Sequence, residues 1–260
     1  MVVLALGTFA IGTGSFVFAG LLEGVARDLS VSVGAAGNLV TVFAVTYAIS
    51  SPVLVTLAGR VGPRRVLVAA MAVFAAANAA AVFAPTFGLL LACRMLAACG
   101  AAVFTPTAVA VAAGLAPEEG RGRAISFITG GLTVAFVVGI PLGSIIGTYA
   151  GWRMTFVMVA ALGAVAMVGV GFLPDVGGQP AVGLRERLDA LRQPAVVAAL
   201  ALTTLGIMGG FVVFTYISPL LAEITGLGGA GVSGLLFLFG IAAMVGTSLS
   251  LREPFFRACL

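Results

Sequence analysis

The chain has 260 residues, of which 61% are hydrophobic and 8% charged, with a formal net charge of +4. A soluble globular domain carries roughly a quarter of its residues as Asp, Glu, Lys or Arg, so this composition excludes one and indicates an all-α, polytopic membrane protein whose first partner is the lipid bilayer. The chain has no His, which excludes His-containing triads, HExxH zinc sites and imidazole proton shuttles, and every basic residue is Arg.

About 20 residues of helix cross the hydrocarbon core, so uncharged runs of about 18 residues or more are candidate spans. Such runs cover 1–22, 29–59, 66–93, 95–117, 124–152, 154–174, 193–222 and 224–251. Arg94 interrupts an apolar stretch from Val66 to Pro117 that is too long for one crossing, and Ala84-Pro85-Thr86-Phe87-Gly88 supplies a turn within it. The third helix is therefore expected near 66–84 and the fourth near 88–114, with Arg94 inside the fourth.

The first span starts almost at Met1. Met1-Val2-Val3-Leu4 lacks the basic region of a cleaved signal peptide, and the apolar run is longer than such a peptide carries. Glu23 and Asp28, at the far end of this span, read as solvated loop charges. Between the second and third spans, a Gly62-Pro63 turn with Arg60, Arg64 and Arg65 reads by itself as a basic hairpin that sets topology.

Arg94 is the one charge placed within a span, and burying it uncompensated costs at least ~2.5–3.5 kcal/mol on insertion scales. Two readings stand. It lies six residues past Gly88, about 9 Å along a helix and near enough to snorkel to the outer interface. Alternatively it lines a cavity, where it meets an anionic or dipolar group or a titrating acid. Cys93, Cys99 and Cys259 show no CxxC spacing and read as small apolar fillers.

Glu118-Glu119-Gly120-Arg121-Gly122-Arg123 reads as a solvated loop before the fifth span. That span places Gly139, Gly143, Gly147 and Gly151 at four-residue spacing on one face, where another backbone can approach closely. Pro141 removes an i−4 hydrogen bond and bends the helix. After the sixth span, Leu184, Leu188 and Leu191 with charges between them describe a short amphipathic helix on the membrane surface. Phe211, Phe214 and Tyr216 in the seventh span either wall a substrate cavity or simply pack.

The Arg residues fix an expected orientation. Arg60, Arg64, Arg65, Arg121, Arg123, Arg185, Arg187, Arg192, Arg252 and Arg257 fall on one side of the spans, and Arg27 and Arg153 on the other. The positive-inside rule then places both termini in the cytoplasm. The basic balance thus reports topology and implies no nucleic-acid partner. Asp28, Asp175 and Asp189 all lie outside the apolar runs, which leaves no paired-Asp intramembrane protease. No catalytic residue, metal site or cofactor is expected, and the protein is expected not to be an enzyme.

The loop between the second and third spans resembles the signature of the major facilitator superfamily, Gly-x-Leu-Ala-Asp-Arg-x-Gly-Arg-Arg/Lys-x-x-Leu, at the same place. Leu57, Ala58, Arg60, Gly62, Arg64 and Leu67 match, whereas Val55 replaces the first Gly and Gly59 the Asp. In the family that Asp pairs across the interface between the two halves, so the resemblance implies a weaker latch here. Gly139-Ile140-Pro141-Leu142-Gly143, then Gly147, Gly151-Trp152-Arg153 and Phe156, resembles the antiporter motif of drug:proton exporters in this superfamily. Gly12-Thr13-Gly14-Ser15-Phe16-Val17 and Phe211-Val212-Val213-Phe214-Thr215-Tyr216 are similar to the first and seventh helices of bacterial drug- and sugar-efflux members. The resemblance covers roughly residues 4–248 and stops at Leu251-Arg252-Glu253-Pro254, so a reading frame broken or truncated there is expected.

The resemblance implies a major facilitator fold. Its parts are an N-terminal six-helix transmembrane bundle over 1–173, a cytoplasmic amphipathic linker over 174–194, helices 7 and 8 of an incomplete second bundle over 195–251, and a divergent cytoplasmic tail over 252–260. It implies a multi-pass protein of the bacterial cytoplasmic (inner) membrane that exports a small-molecule substrate by alternating access, with protons as the coupling ion. Chloramphenicol-like drugs are the first substrate class. The alternatives are a sugar or nucleoside exporter, or a truncated product with no transport activity of its own. Arg94, Ser15, Phe211, Phe214 and Tyr216 are the implied substrate or coupling residues. Leu57, Arg60, Gly62 and Arg64 form the loop signature, and Gly139, Pro141, Gly143 and Gly147 the antiporter motif. Related exporters often carry a titrating acid in the first helix; Ser15 stands at that position here, so proton coupling is implied without an embedded acid.

Overall fold

The computed structural model describes residues 1–59, 61–173, 192–225 and 238, and the regular elements among them are all helical. The chain divides into two units, residues 1–189 and 190–260. In the first, α1 (Val2–Phe16) is followed by a 3-10 turn, Val17–Gly20, and by α2 (Leu22–Asp28). Then come α3 (Val33–Ala58), α4 (Pro63–Val82), α5 (Phe87–Leu115) and a second 3-10 turn, Glu118–Gly120. The unit continues with α6 (Arg121–Val134), a π-helical turn Ala135–Gly139, α7 (Ile140–Ala150) and α8 (Trp152–Gly171). Most of the described part of the second unit is the helix α9 (Pro194–Thr225).

Local chemistry sets several of these boundaries. The Ser32 hydroxyl accepts from the Ala35 N–H at 3.1 Å and opens α3, and the Thr86 hydroxyl accepts from the Leu89 N–H at 3.3 Å and opens α5. Pro63 occupies the first turn of α4, where its missing N–H costs nothing. By length and composition α3, α4, α5, the run Glu118–Ala150 and α8 could each cross a membrane.

Several expectations are corrected. The first span is not one helix, because the turn at Val17–Gly20 splits it into α1 and α2. Glycine lowers helix propensity there, and the tightened turn lets Val17 and Leu21 both reach glycines of α7. Arg121 and Arg123, read as loop residues, lie in the first turn of α6. Glu223, the charge that separates the uncharged runs 193–222 and 224–251, lies inside α9. Arg60, most of the linker at 174–194, almost all of the eighth span and the tail at 252–260 lie outside the described residues.

Each helix alone could not bury its apolar surface, so the first unit packs α4 against α5 and α8, α3 against α5, and α1 against α6 and α8. Leu67, Met71, Phe74, Phe104, Ile128 and Val159 are buried in the larger core. A second cluster, with Phe18, Leu39, Leu90, Trp152 and Phe156, fills the end where Asp28 and Trp152 meet.

Helix-interior prolines leave carbonyls without their usual donor. Pro106 lies inside α5 and frees the carbonyl of Ala102, four residues before it. The Ser51 hydroxyl of α3 donates to that carbonyl at 3.1 Å. In an apolar interior this side chain replaces the lost backbone bond. Pro141 has a different answer. The helix widens into the π turn just before it, where the Ile140 N–H bonds the Ala135 carbonyl.

Candidate functional site

Arg94 projects from α5 into the interior of the first unit and is fully buried. Its Nη1 donates to the Gly14 carbonyl of α1 at 2.9 Å, and its Nε to the Leu39 carbonyl of α3 at 3.4 Å. The guanidinium carbon lies 4.2 Å from the ring centre of Phe18 and 4.3 Å from that of Phe43. Two carbonyl dipoles and two aromatic faces thus surround a charge that meets no carboxylate among the described residues. The snorkelling reading fails, because the side chain points inward rather than along the helix towards an interface. The buried polar or charged side chains among the described residues are Thr8, Thr13, Asn78, Arg94 and Thr155.

Ser15 follows the residue whose carbonyl holds Arg94, but its hydroxyl donates to the Ile11 carbonyl of its own helix at 2.7 Å. The acids whose side chains are described in the first unit, Glu23, Asp28, Glu118 and Glu119, are all exposed. Phe211, Phe214 and Tyr216 fall within α9, and their side chains lie outside the described residues.

The glycine face of the fifth span packs on α1 and the turn that follows it. A methyl group at Gly139 would fall on Thr13, at Gly143 on Val17 and at Gly147 on Leu21. The pattern extends further than the sequence suggested: Gly131 faces Thr8 and the backbone of Ala5 and Phe9, and Gly12 faces Ala135. Positions four apart drift about 40° per step around an ideal helix, and the wider π turn absorbs part of that drift. Two hydroxyls tie the seam. Thr8 donates to the Ile128 carbonyl at 2.7 Å, and Thr155 of α8 to the Gly143 carbonyl at 2.9 Å. Gly151 does not belong to this face. It has φ +87° and open space around its Cβ position, and it makes the turn into α8.

In the basic loop, Gly62 precedes Pro63 at the start of α4, and Arg64 donates to the Gly171 carbonyl at the C-terminus of α8. A cation there also meets the negative end of the helix dipole. Leu57 is exposed near the end of α3. Arg64 therefore links α4 to α8 within the first unit.

Asp28 carries an interaction that sequence reasoning missed. Its Oδ2 accepts from Trp152 Nε1 at 2.9 Å and from Arg153 Nη1 at 2.8 Å, and Arg153 stacks over the Trp152 ring at 4.2 Å. The Trp152 ring meets Phe156 edge-on at 5.7 Å, and Phe156 lies 4.8 Å from Phe18 beneath Arg94. An aromatic chain so connects the buried cation to the clamp at the helix ends. The Gly-Trp-Arg string was the available signal, but nothing local pointed to Asp28, 124 residues earlier. Cys93 is buried, and the Cys99 sulfur lies 3.5 Å from the Ser50 hydroxyl.

A sequence profile described as Major Facilitator Superfamily matches residues 4–254. The chain is 36% identical over 246 residues to an uncharacterized MFS-type transporter, YbcL, of Bacillus subtilis, covering 94% of this chain and 63% of that protein. It is 38% identical over 258 residues to the chloramphenicol resistance protein of Streptomyces lividans, covering 96% of this chain and 65% of the relative. The chain thus spans less than two thirds of the length of these relatives. Among solved structures it resembles a bacterial homolog of the human lysosomal transporter Spinster, with TM-score 0.70 and 20% identity over 92% of this chain and 57% of that one.

Proposed function

The chain belongs to the Major Facilitator Superfamily, and from that premise we propose that it serves membrane transport, exporting small molecules by alternating access with chloramphenicol-like drugs as the first substrate class. The observation that carries this reading is Arg94. A cation kept in a lipid-embedded bundle with no carboxylate partner among the described residues is costly, and such residues face pathways for substrates or ions. Its charge is softened by carbonyls and rings yet not neutralised. It therefore suits an anionic or strongly dipolar group on the cargo.

The drug class is favoured by the 38% identity to a chloramphenicol resistance protein, and by the close-packed glycine seam at Gly139, Gly143 and Gly147 that resembles the antiporter motif. Proton entry as the driving force comes from the same motif. The acids with described side chains in the first unit are exposed, so none of them is a buried proton carrier. By the positive-inside rule the Arg64 end faces the cytoplasm of a bacterial inner membrane.

The test is drug susceptibility of cells expressing this chain, alone and extended by the C-terminal third of the Streptomyces relative. Raised chloramphenicol resistance that a protonophore abolishes, and that Arg94→Gln removes without loss of membrane insertion, is the expected result. No resistance from either form would refute drug export. Resistance unaffected by Arg94→Gln would leave Arg94 a purely structural cation.

A further inference from the structure

Among the described residues four buried side-chain polar atoms lack a hydrogen-bond partner: the hydroxyls of Thr13 and Thr105, Nη2 of Arg94, which can only donate, and Oδ1 of Asn78, which can only accept. Arg94 is 0% exposed and Asn78 1%. Orphaned polar groups are costly inside a bilayer, where no water relieves them.

The packing of α4 against α5 brings the backbones of these two residues to one level. The two helices are consecutive and joined by the short turn at 83–86, so they run antiparallel. A Cβ at Gly100 would lie 2.5 Å from the Ala70 carbonyl oxygen and 2.9 Å from the Phe74 nitrogen, which sets residue 100 of α5 against residue 72 of α4. Six residues back along α5 is Arg94, and six forward along α4 is Asn78.

A second line of contacts leads to the same place. Phe74 lies one turn before Asn78 on the same face, and its ring reaches to 3.0 Å from the Cβ position of Gly14, the residue whose carbonyl holds Arg94 Nη1. Asn78 Nδ2 donates to the Phe74 carbonyl at 2.7 Å, which leaves Oδ1 on the other branch of the amide.

We infer that Asn78 is a positioning residue for Arg94: its Oδ1 accepts a hydrogen bond from Nη2, directly after a small side-chain adjustment or through one buried water. The guanidinium is then held by Gly14, Leu39 and Asn78 on three different helices and stacked between Phe18 and Phe43. A neutral amide suits this task, because it orients the cation while leaving its charge for another group, which a carboxylate would not do. The inference rests on packing geometry and stands whatever the cargo is.

The test uses thermal unfolding of the full chain in detergent. Asn78→Asp and Asn78→Leu are each made in the parent and in an Arg94→Leu background. Asn78→Asp is expected to raise the midpoint by a few degrees in the parent at neutral pH, to lose that gain as the carboxylate is protonated in acid, and to lower the midpoint in the Arg94→Leu background. Asn78→Leu is expected to lower the parent midpoint and to do so much less in that background. Equal shifts in the two backgrounds would overturn the inference and return Asn78 to a capping role on Phe74. Where the Arg94→Leu chain does not fold, the sign of Asn78→Asp in the parent decides alone, and a fall at neutral pH sinks the proposal.

Discussion

A carboxylate oxygen shared by an indole N–H and a guanidinium makes Asp28 the anchor of its end of the bundle. Asp28 closes α2, and Trp152 and Arg153 open α8, so one side chain holds the split first span against the helix that follows the glycine seam. The Asp28–Arg153 pair is about half exposed, at 40% side-chain exposure for Arg153 and 47% for Asp28, so its Coulombic part is weak. The hydrogen bond to the buried Trp152 indole is the stronger contribution, because losing it leaves that donor unsatisfied. Asp28→Ala is expected to cost about 1–2 kcal/mol of stability. Asp28→Asn, which keeps an acceptor for the indole, should recover most of it in the same thermal melts.

At the scale of elements, the seam between α1 and the run α6 to α7 is defined by backbone proximity. Gly130 and Gly131 are neighbours in sequence, yet only Gly131 faces α1, with the Thr8 hydroxyl and the Ala5 carbonyl in its way. Gly131→Leu is therefore expected to cost about 3 kcal/mol or more, or to prevent assembly of the bundle. Gly130→Leu has open space and gains helix propensity, so it should be neutral or stabilising by up to about 1 kcal/mol. Parallel expression and melting of the two variants compares these outcomes directly. The glycine spacing announced a close approach, but not its partner. It also misassigned Gly151, because spacing carries no information about a positive φ.

For the molecule as a whole, the described arginines of the first unit's helix ends separate cleanly. Arg64, Arg65, Arg121 and Arg123 lie at the end where α3 turns into α4 and α5 into α6, and Arg27 and Arg153 lie at the other. If the positive-inside rule governs insertion, cysteines introduced at Gly122 and Gly34, both with room for a side chain, report opposite faces of the membrane. In a background without the native cysteines, an impermeant thiol reagent applied to whole cells should label Gly34→Cys and leave Gly122→Cys unmodified until the cells are opened. The reverse pattern would invert the topology and with it the direction assigned to transport.

Hydropathy and charge, read along the sequence, were enough to establish a lipid-embedded helical protein and the sides on which its arginines gather. These are properties of composition and of runs about 20 residues long, which each segment satisfies by itself. The motifs at Gly62–Arg64 and Gly139–Gly147 were also legible, because they are local strings. What needed the tertiary structure was every relation between distant segments. Examples are the inward course of Arg94 onto Gly14 and Leu39, the break in the first span at Val17–Gly20, the repair of the Ala102 carbonyl by Ser51, and the Asp28 clamp. In a bilayer interior a polar group or freed carbonyl must find its partner within the protein, and where that partner lies is decided by helix packing rather than by the neighbouring residues.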